Sequence, residues 1–497
     1  MAPTHRLIRT RLSAMMFLQF FLWASWCVPI GGYMSTTLHF TGSQIGWVFS
    51  TMALAAIISP LFVGLVADRL FSTERVLFVL HLLGGVCLCL AAEQTQFGGL
   101  MAAMMGNSLC FMPTLALANS LAFRNIPEPD KFPRIAVLGT IGWIVSGWVV
   151  GMVLGGTEKW FFYLAGGAAF LMGLYSLTLP HTPPKGREQS GGDVFGLGAL
   201  RLLKEPAFLT FVVCAFLIAI PATTYSVACN PFLVETDRPV PTTLMTLAQF
   251  SEIFVMFTMP LFIAWLGLRT ILLLGMAAWA IRYVCFATLS FPLVVVGLLV
   301  HGFCYCFVYV GSYIYVDKRA PRDLRASAQS FIAFLMLGVA WFIGSQLTGF
   351  EFDEYPPLAA VMRATDKEGE VVDAPLPKWS ADANVDKPDI GKLLDADADG
   401  RIIAAHLENI PEEGLTIGDY TYAKKDLLDV FQKIRDHKAA SDKGATGEAA
   451  VVRRDWVEAQ AHQWSPIWLW VAGASAAAAL LFLLGPRGGE PEPTKEG

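Results

Sequence analysis

The sequence predicts an all-α membrane protein: twelve transmembrane helices in two six-helix halves, with a small extracytoplasmic, mostly helical insert. Three observations carry that prediction. Of 497 residues, 55% are hydrophobic and only 15% charged, where an ordinary soluble domain carries about 25% charge. The charge is also unevenly placed. Residues 351–464 hold 38 charged side chains and a net −10, while the remaining 383 residues hold 39 and a net +5. Finally, the charge-poor part divides into apolar runs of the roughly 20 residues a helix needs to cross a bilayer. This balance excludes an ordinary cytosolic enzyme and a disordered chain. A net charge of −5 with no basic run excludes a nucleic-acid partner.

In chain order the runs are 12–34, 44–66, 76–94, 98–123, 134–155, 159–180, 206–230, 242–265, 269–290, 292–316, 325–349 and 466–486. The first is too long for a cleaved signal peptide and lacks an Ala-x-Ala-like end. Helix is the open choice for each, because lipid cannot satisfy free backbone groups. Lys and Arg set the orientation. With the N-terminus inside, the cytoplasmic segments carry 19 of them, and the short outer loops carry only Lys159 and Arg238. Both termini are then cytoplasmic, and the acidic insert, between spans eleven and twelve, is extracytoplasmic. All nine cysteines fall in apolar spans, so no disulfide is expected in the insert. The two Cys-x-Cys pairs point to different helix faces and read as packing.

The halves echo one another. Pro60-Leu-Phe-Val-Gly64 closes span two, and Pro260-Leu-Phe-Ile-Ala264 closes span eight 200 residues later. The expected divisions are 1–182 for the first half, 183–204 for a cytoplasmic linker and 205–349 for helices seven to eleven. The insert follows at 350–464, then helix twelve and the tail at 465–497. Six plus six helices with an internal repeat is the layout of a secondary transporter with its site between the halves. No Walker A run suggests ATP as the energy source.

Polar groups deep in a span are costly and mark function. Among acids outside the insert, only Glu252 is placed mid-span, with Gln249 one turn earlier on the same face. A carboxylate there can take up and release a proton; the alternative is a hydrogen bond to a neighbouring helix. His301, Tyr305 and Tyr309 form a polar-aromatic stripe on span ten. Gln19, Trp23 and Trp26 form another on span one, suited to a flat hydrogen-bonding ligand such as a nucleobase or a sugar. Both stripes are equally compatible with packing between helices. Thr140 and Trp143 share a face of span five. Thr223, Ser226 and Asn230 share one on span seven, near Pro221, where a broken helix could expose carbonyls. Arg282 and His81 read as snorkelling or helix-pairing groups near the membrane faces.

Gly64-Leu-Val-Ala-Asp68-Arg69, after span two, resembles the loop signature of the major facilitator superfamily, in which the acid and base gate the cytoplasmic side. Phe17-Leu-Gln-Phe-Phe-Leu-Trp-Ala-Ser-Trp26, Phe111-Met-Pro-Thr-Leu-Ala-Leu-Ala-Asn119-Ser, Phe132-Pro-Arg-Ile-Ala-Val-Leu-Gly-Thr-Ile-Gly-Trp143, Gln249-Phe-Ser-Glu252 and Tyr315-Val-Asp-Lys-Arg-Ala-Pro321 resemble the bacterial nucleoside:proton symporter family. The likeness covers all twelve spans but not the insert, and is strongest to the branch of xanthosine-permease-like proteins. It implies nucleoside import across the bacterial inner membrane by a monomer in lipid, driven by protons, with no enzymatic activity and no cofactor. It implies that Thr140, Gln249 and Glu252 line the site. The expected substrate contacts are these three with Gln19, Trp23, Trp26, Trp143, Ser226 and Tyr305; Glu252 and His301 are the expected proton-coupling groups. Two positions depart from the family pattern: Ala136 replaces an Arg and Cys306 an Asp. The alternatives are an uncoupled facilitator, a carrier of another polar solute such as a sugar, and a solute sensor acting through the insert.

In the insert, Asp395-Ala-Asp397-Ala-Asp399-Gly-Arg401-Ile matches the start of an EF-hand loop. Oxygens fall at positions 1, 3 and 5, with the Arg401 backbone at position 7. Position 12 is His406 rather than Glu, so the choice lies between a Ca2+ site and an acidic turn before a short helix. Residues 421–437 place Leu427, Val430, Phe431 and Ile434 at helical spacing.

Overall fold

In the computed structural model, the described residues are 3–62, 71–126, 132–183, 195–359, 361–377, 379, 390, 401–402, 404–408, 410–441 and 450–486. Asp68, Arg69, Asp395, Asp397 and Asp399 lie outside them, as do residues 184–194 of the linker and 487–497 of the tail. The chain forms two compact units. One comprises residues 1–231, 239–353 and 465–497; the other comprises 232–238 and 354–464.

The first unit is helical. Its elements are α1 (Pro3–Cys27), α2 (Ile30–Thr36), α3 (Gly42–Phe62), α4 (Thr73–Ala92), α5 (Phe97–Asn125), α6 (Pro133–Trp148) and α7 (Trp160–Ser176). There follow α8 (Pro206–Glu235), α9 (Pro241–Leu244), α10 (Thr246–Leu266), α11 (Leu268–Ala287), α12 (Phe291–Leu299), α13 (His301–Tyr305), α14 (Gly311–Arg319), α15 (Arg325–Ala333) and α16 (Ala340–Glu354). Among the described residues, consecutive pieces join into eleven helical stretches long and apolar enough to cross a membrane, and α7 is a shorter apolar helix of 17 residues. Each coincides with a run expected from the sequence. Side chains such as Phe257 and Trp265 are about three-quarters exposed, as lipid-facing residues should be.

Close approach in such a bundle depends on small residues. A Cβ on Gly142 would lie 2.3 Å from the Phe17 carbonyl oxygen, which is why α6 can pack tightly on α1. The two halves meet in the same way where α3 begins and α16 ends. A Cβ on Gly42 would lie 2.1 Å from the Gly349 oxygen. There Asp353 accepts hydrogen bonds from the Gly42 N–H at 2.7 Å and the Ser43 N–H at 2.9 Å, and from the Ser43 hydroxyl. This carboxylate caps the start of α3 from another helix, satisfying orphan N–H groups and the helix dipole together. Two further contacts lie at this end: Gly32 N–H donates to Asn230 Oδ1 at 3.2 Å, and Thr243 Oγ1 donates to the Gly147 carbonyl at 3.2 Å.

Among the described residues, three π-helical turns interrupt the α-helices, at Val149–Val153, Cys306–Val310 and Phe334–Val339. Such turns concentrate at functional sites. α8 runs unbroken through Pro221, which corrects the expectation of a broken helix there. The Tyr283 hydroxyl donates to the Pro221 carbonyl at 2.5 Å.

Among the described residues of the second unit, six short strands accompany the helices, where a mostly helical insert was expected. A four-stranded antiparallel sheet runs in the order β2 (Val371–Pro375), β1 (Val361–Thr365), β5 (Tyr420–Tyr422), β4 (Leu415–Ile417). A second sheet pairs β3 (Arg401–Ile402) with β6 (Val451–Val452). The β1–β2 hairpin closes on Gly369 at φ +84°, a left-handed turn position that favours Gly. The amphipathic helix does form, at Lys424–Ser441. Its Leu427, Val430, Phe431 and Ile434 are buried in one core with Trp456, whose indole N–H donates to the Pro377 carbonyl at 2.8 Å.

Candidate functional site

Within the helical unit, a cavity of about 290 Å³ opens between the two halves, near the lower end of the roughly 300–1,000 Å³ usual for small-molecule sites. Helices from both halves supply its wall. Trp23 comes from α1, Thr140 and Trp143 from α6, Ser226 from α8, Gln249 and Glu252 from α10, and His301 and Tyr305 from α13. Eight of the residues expected from sequence therefore converge on one space.

The aromatic side chains are ordered rather than scattered. Tyr305 stacks on His301 with ring centroids 5.9 Å apart, and Tyr309 stacks on Tyr305 at 5.1 Å. The i, i+4, i+8 spacing gives a ladder of parallel rings along one helix face. From the other half, Trp23 meets Trp143 edge-on at 5.4 Å. Both halves thus bring aromatic rings to the cavity wall.

Among the described residues, Glu252 is the only acidic one in the wall, and no Lys or Arg lines it. Its carboxylate oxygen lies 3.9 Å from His301 Nε2, and its side chain is 17% exposed. Gln249 sits one turn earlier with its carbonyl oxygen unpaired. Thr140 adds a hydroxyl from the other half. The wall thus offers hydroxyl, amide and carboxylate groups among aromatic faces. That combination suits a neutral, ring-bearing polyol rather than an ion.

Two expected contacts lie elsewhere. Gln19 and Trp26 are fully buried between helices and do not line the cavity. Gln19 donates to Thr114 Oγ1 at 2.7 Å, and its carbonyl oxygen is 2.9 Å from His81 Nε2. The first helical stretch lines the cavity with Phe20, Trp23, Cys27 and Val28, so Gln19 and Trp26, each one position before a lining residue, are turned toward neighbouring helices. Thr223 and Asn230 are likewise buried against neighbours. His81 and Arg282 do not snorkel: both are buried. Arg282 Nη1 donates to His301 Nδ1 at 2.7 Å, and its guanidinium lies 3.4 Å over the Tyr225 ring. Tyr225, Trp279 and Trp341 also line the cavity and were not singled out from sequence, since lone aromatics in apolar spans carry no distinguishing signal.

Of the calcium motif, Arg401 begins β3 and its backbone pairs with Val452. Among the described residues, no group of three His, Cys, Asp or Glu side chains is placed to hold a metal ion.

Comparison with known proteins fits this geometry. The family model described as nucleoside H+ symporter matches residues 7–359. The transporter YegT of Escherichia coli is 40% identical over 354 residues, covering 68% of this chain and 83% of YegT. Xanthosine permease of the same organism is 33% identical over 370 residues, 70% of this chain and 88% of the permease. In fold, the crystal structure of nucleoside transporter NupG superposes with a TM-score of 0.69 at 22% identity, over 96% of this chain and 98% of that one. A crystal structure of a bacterial homologue of the lysosomal transporter Spinster gives 0.60 at 13% identity. This chain is a multi-pass membrane transporter and belongs to the nucleoside H+ symporter family.

Proposed function

We propose that this protein imports nucleosides with protons by alternating access, using the cavity between its halves as the substrate site and Glu252 as the proton carrier. The observation that carries this reading is the placement of one carboxylate, Glu252, among stacked rings and neutral hydrogen-bonding groups at the junction of the halves. The base lies along the Tyr305 ladder, while Gln249, Thr140 and Glu252 meet ribose hydroxyls or base edges. His301 faces Glu252 and belongs to the coupling apparatus. The twelve apolar helices are read as twelve spans, with residues 354–464 outside the cell and both termini inside. In that orientation the Gly42–Gly349 contact and the Asp353 cap close the outer side, so the cavity is poised toward the cytoplasm.

The test is uptake of labelled nucleosides into liposomes holding the purified protein, with and without an inward proton gradient. Accumulation above the external concentration, abolished by collapsing the gradient, is the expected result. Uptake of a labelled sugar with no uptake of any nucleoside would contradict it. Gradient-independent uptake would reduce the protein to a facilitator.

We also propose that the loop beginning at Asp395 takes Ca2+. The support is three carboxylates at positions 1, 3 and 5 and a position-7 carbonyl on a strand-paired residue. Added Ca2+ is expected to slow proteolysis of the insert in the full-length protein, and Asp395→Ala to remove the effect. Equal cleavage with and without Ca2+ in the wild type would end the proposal.

A further inference from the structure

Arg282 is buried completely, on a helix that crosses the membrane. Two of its guanidinium nitrogens, Nε and Nη2, have no hydrogen-bond partner. Among the described residues, no carboxylate lies within ion-pair distance of it. A charge in that position is expensive unless something balances it. The Tyr225 face supplies part of the balance through its quadrupole. The other titratable groups around the guanidinium are Cys229 of α8, Tyr283 of α11 and Cys304 of α13, neutral thiols and a phenol. Around Glu252 they are Tyr305 and Cys306. One imidazole, His301, stands between the arginine and the Glu252 carboxylate.

The geometry of that imidazole is determinate. A guanidinium only donates, so His301 Nδ1, 2.7 Å from Nη1, is the accepting nitrogen. A neutral imidazole with a bare Nδ1 carries its proton on Nε2, the nitrogen that faces Glu252 at 3.9 Å. The three groups come from α11, α13 and α10 and form a line from a fixed cation, through a neutral ring held in one tautomer, to a titratable acid at the cavity wall.

We propose that Arg282 is the fixed cation of the coupling site, a positioning residue that acts through His301 to balance the Glu252 anion. The inference rests on the proton-coupled reading above. With Glu252 ionised, the site is neutral overall; when Glu252 binds a proton from water on one side, the site carries a single positive charge until that proton leaves on the other. Ala136 and Cys306 leave the cavity wall with no other charged group to serve as counter-ion. Without Arg282 nothing balances the Glu252 anion, and the proton-release half of the cycle is lost. Exchange of nucleoside across the membrane needs no net proton movement and survives.

The experiment compares wild type, Arg282→Gln, Arg282→Lys and the double variant Glu252→Gln/Arg282→Gln in liposomes. Gradient-driven accumulation and nucleoside exchange are measured on the same preparations. One proton per nucleoside supports about tenfold accumulation per pH unit. The wild type is expected to approach that value. Arg282→Gln is expected to fall to simple equilibration while still exchanging, and Arg282→Lys to recover part of the accumulation. The double variant, with cation and anion removed together, is expected to exchange without accumulating. It keeps the test alive if the single Gln variant fails to insert. Undiminished accumulation by Arg282→Gln would overturn the proposal. So would joint loss of exchange and accumulation in all three variants, which would make Arg282 merely structural. If the wild type only equilibrates, the proton-coupled reading fails first and this inference with it.

Discussion

Tyr305 is the middle rung of the ladder against which we place the base. It is 37% exposed, more than either neighbour in the stack. Base–aromatic stacking is worth about 1–3 kcal/mol, so Tyr305→Leu should weaken nucleoside binding roughly tenfold, with Tyr305→Phe close to wild type. Calorimetric titration of purified protein checks this; equal losses in both variants would point to the hydroxyl instead. Outside the membrane, Tyr422 reports on the second unit. Its hydroxyl donates to the Pro375 carbonyl at 2.8 Å, and burial, with Tyr420 nearby, pushes its phenol up to about 12. The neutral phenol is the form the fold favours. Its contribution is thus complete below the unfolded value of about 10 and is lost as pH rises through about 12. Hydrogen exchange at Ala364, paired with Tyr422 across β1–β5, should show this loss in the wild type and not in Tyr422→Phe. Matching pH profiles would contradict the assignment.

At the scale of elements, two helix ends are held by side chains from far along the chain. Asp353 caps α3. Arg269 donates to the carbonyls of Phe482, Gly485 and Pro486, closing the C-terminal end of the last helix (Trp464–Leu484). Arg269→Ala should lower the thermal midpoint without changing nucleoside affinity. Asp353→Ala should instead favour the state open to the outside, because it removes three hydrogen bonds that exist only while α3 and α16 touch. Labelling of a cysteine introduced at Ser345 by an impermeant thiol reagent should therefore quicken in Asp353→Ala. An unchanged labelling rate would show that the glycine contacts alone hold that side shut. These long-range contacts could not be read from sequence. Gly42, Gly349 and Asp353 are ordinary residues until two helices 300 positions apart are brought together. The strands of the second unit were missed for a related reason. They are two to five residues long, too short for alternation to stand out beside an amphipathic helix with four buried anchors.

At the scale of the molecule, the sequence made the helices legible because lipid demands long apolar runs, and each expected run has its helix. The cavity was legible in large part because polar groups inside those runs are few: Thr140, Ser226, Gln249, Glu252 and His301 stood out against their background and do line one space. Which face of a helix meets the cavity was less legible. α1 presents Phe20, Trp23 and Cys27 to it while Gln19 and Trp26 pack between helices, and Arg282 reads as a membrane-edge residue although it is buried beside His301. What joins these scales is a single acid between two halves that must open alternately. The most direct measurement is nucleoside transport by Glu252→Gln in liposomes, scored both as gradient-driven accumulation and as exchange. The account predicts exchange without accumulation, whatever the gradient. Accumulation equal to the wild type's would contradict it.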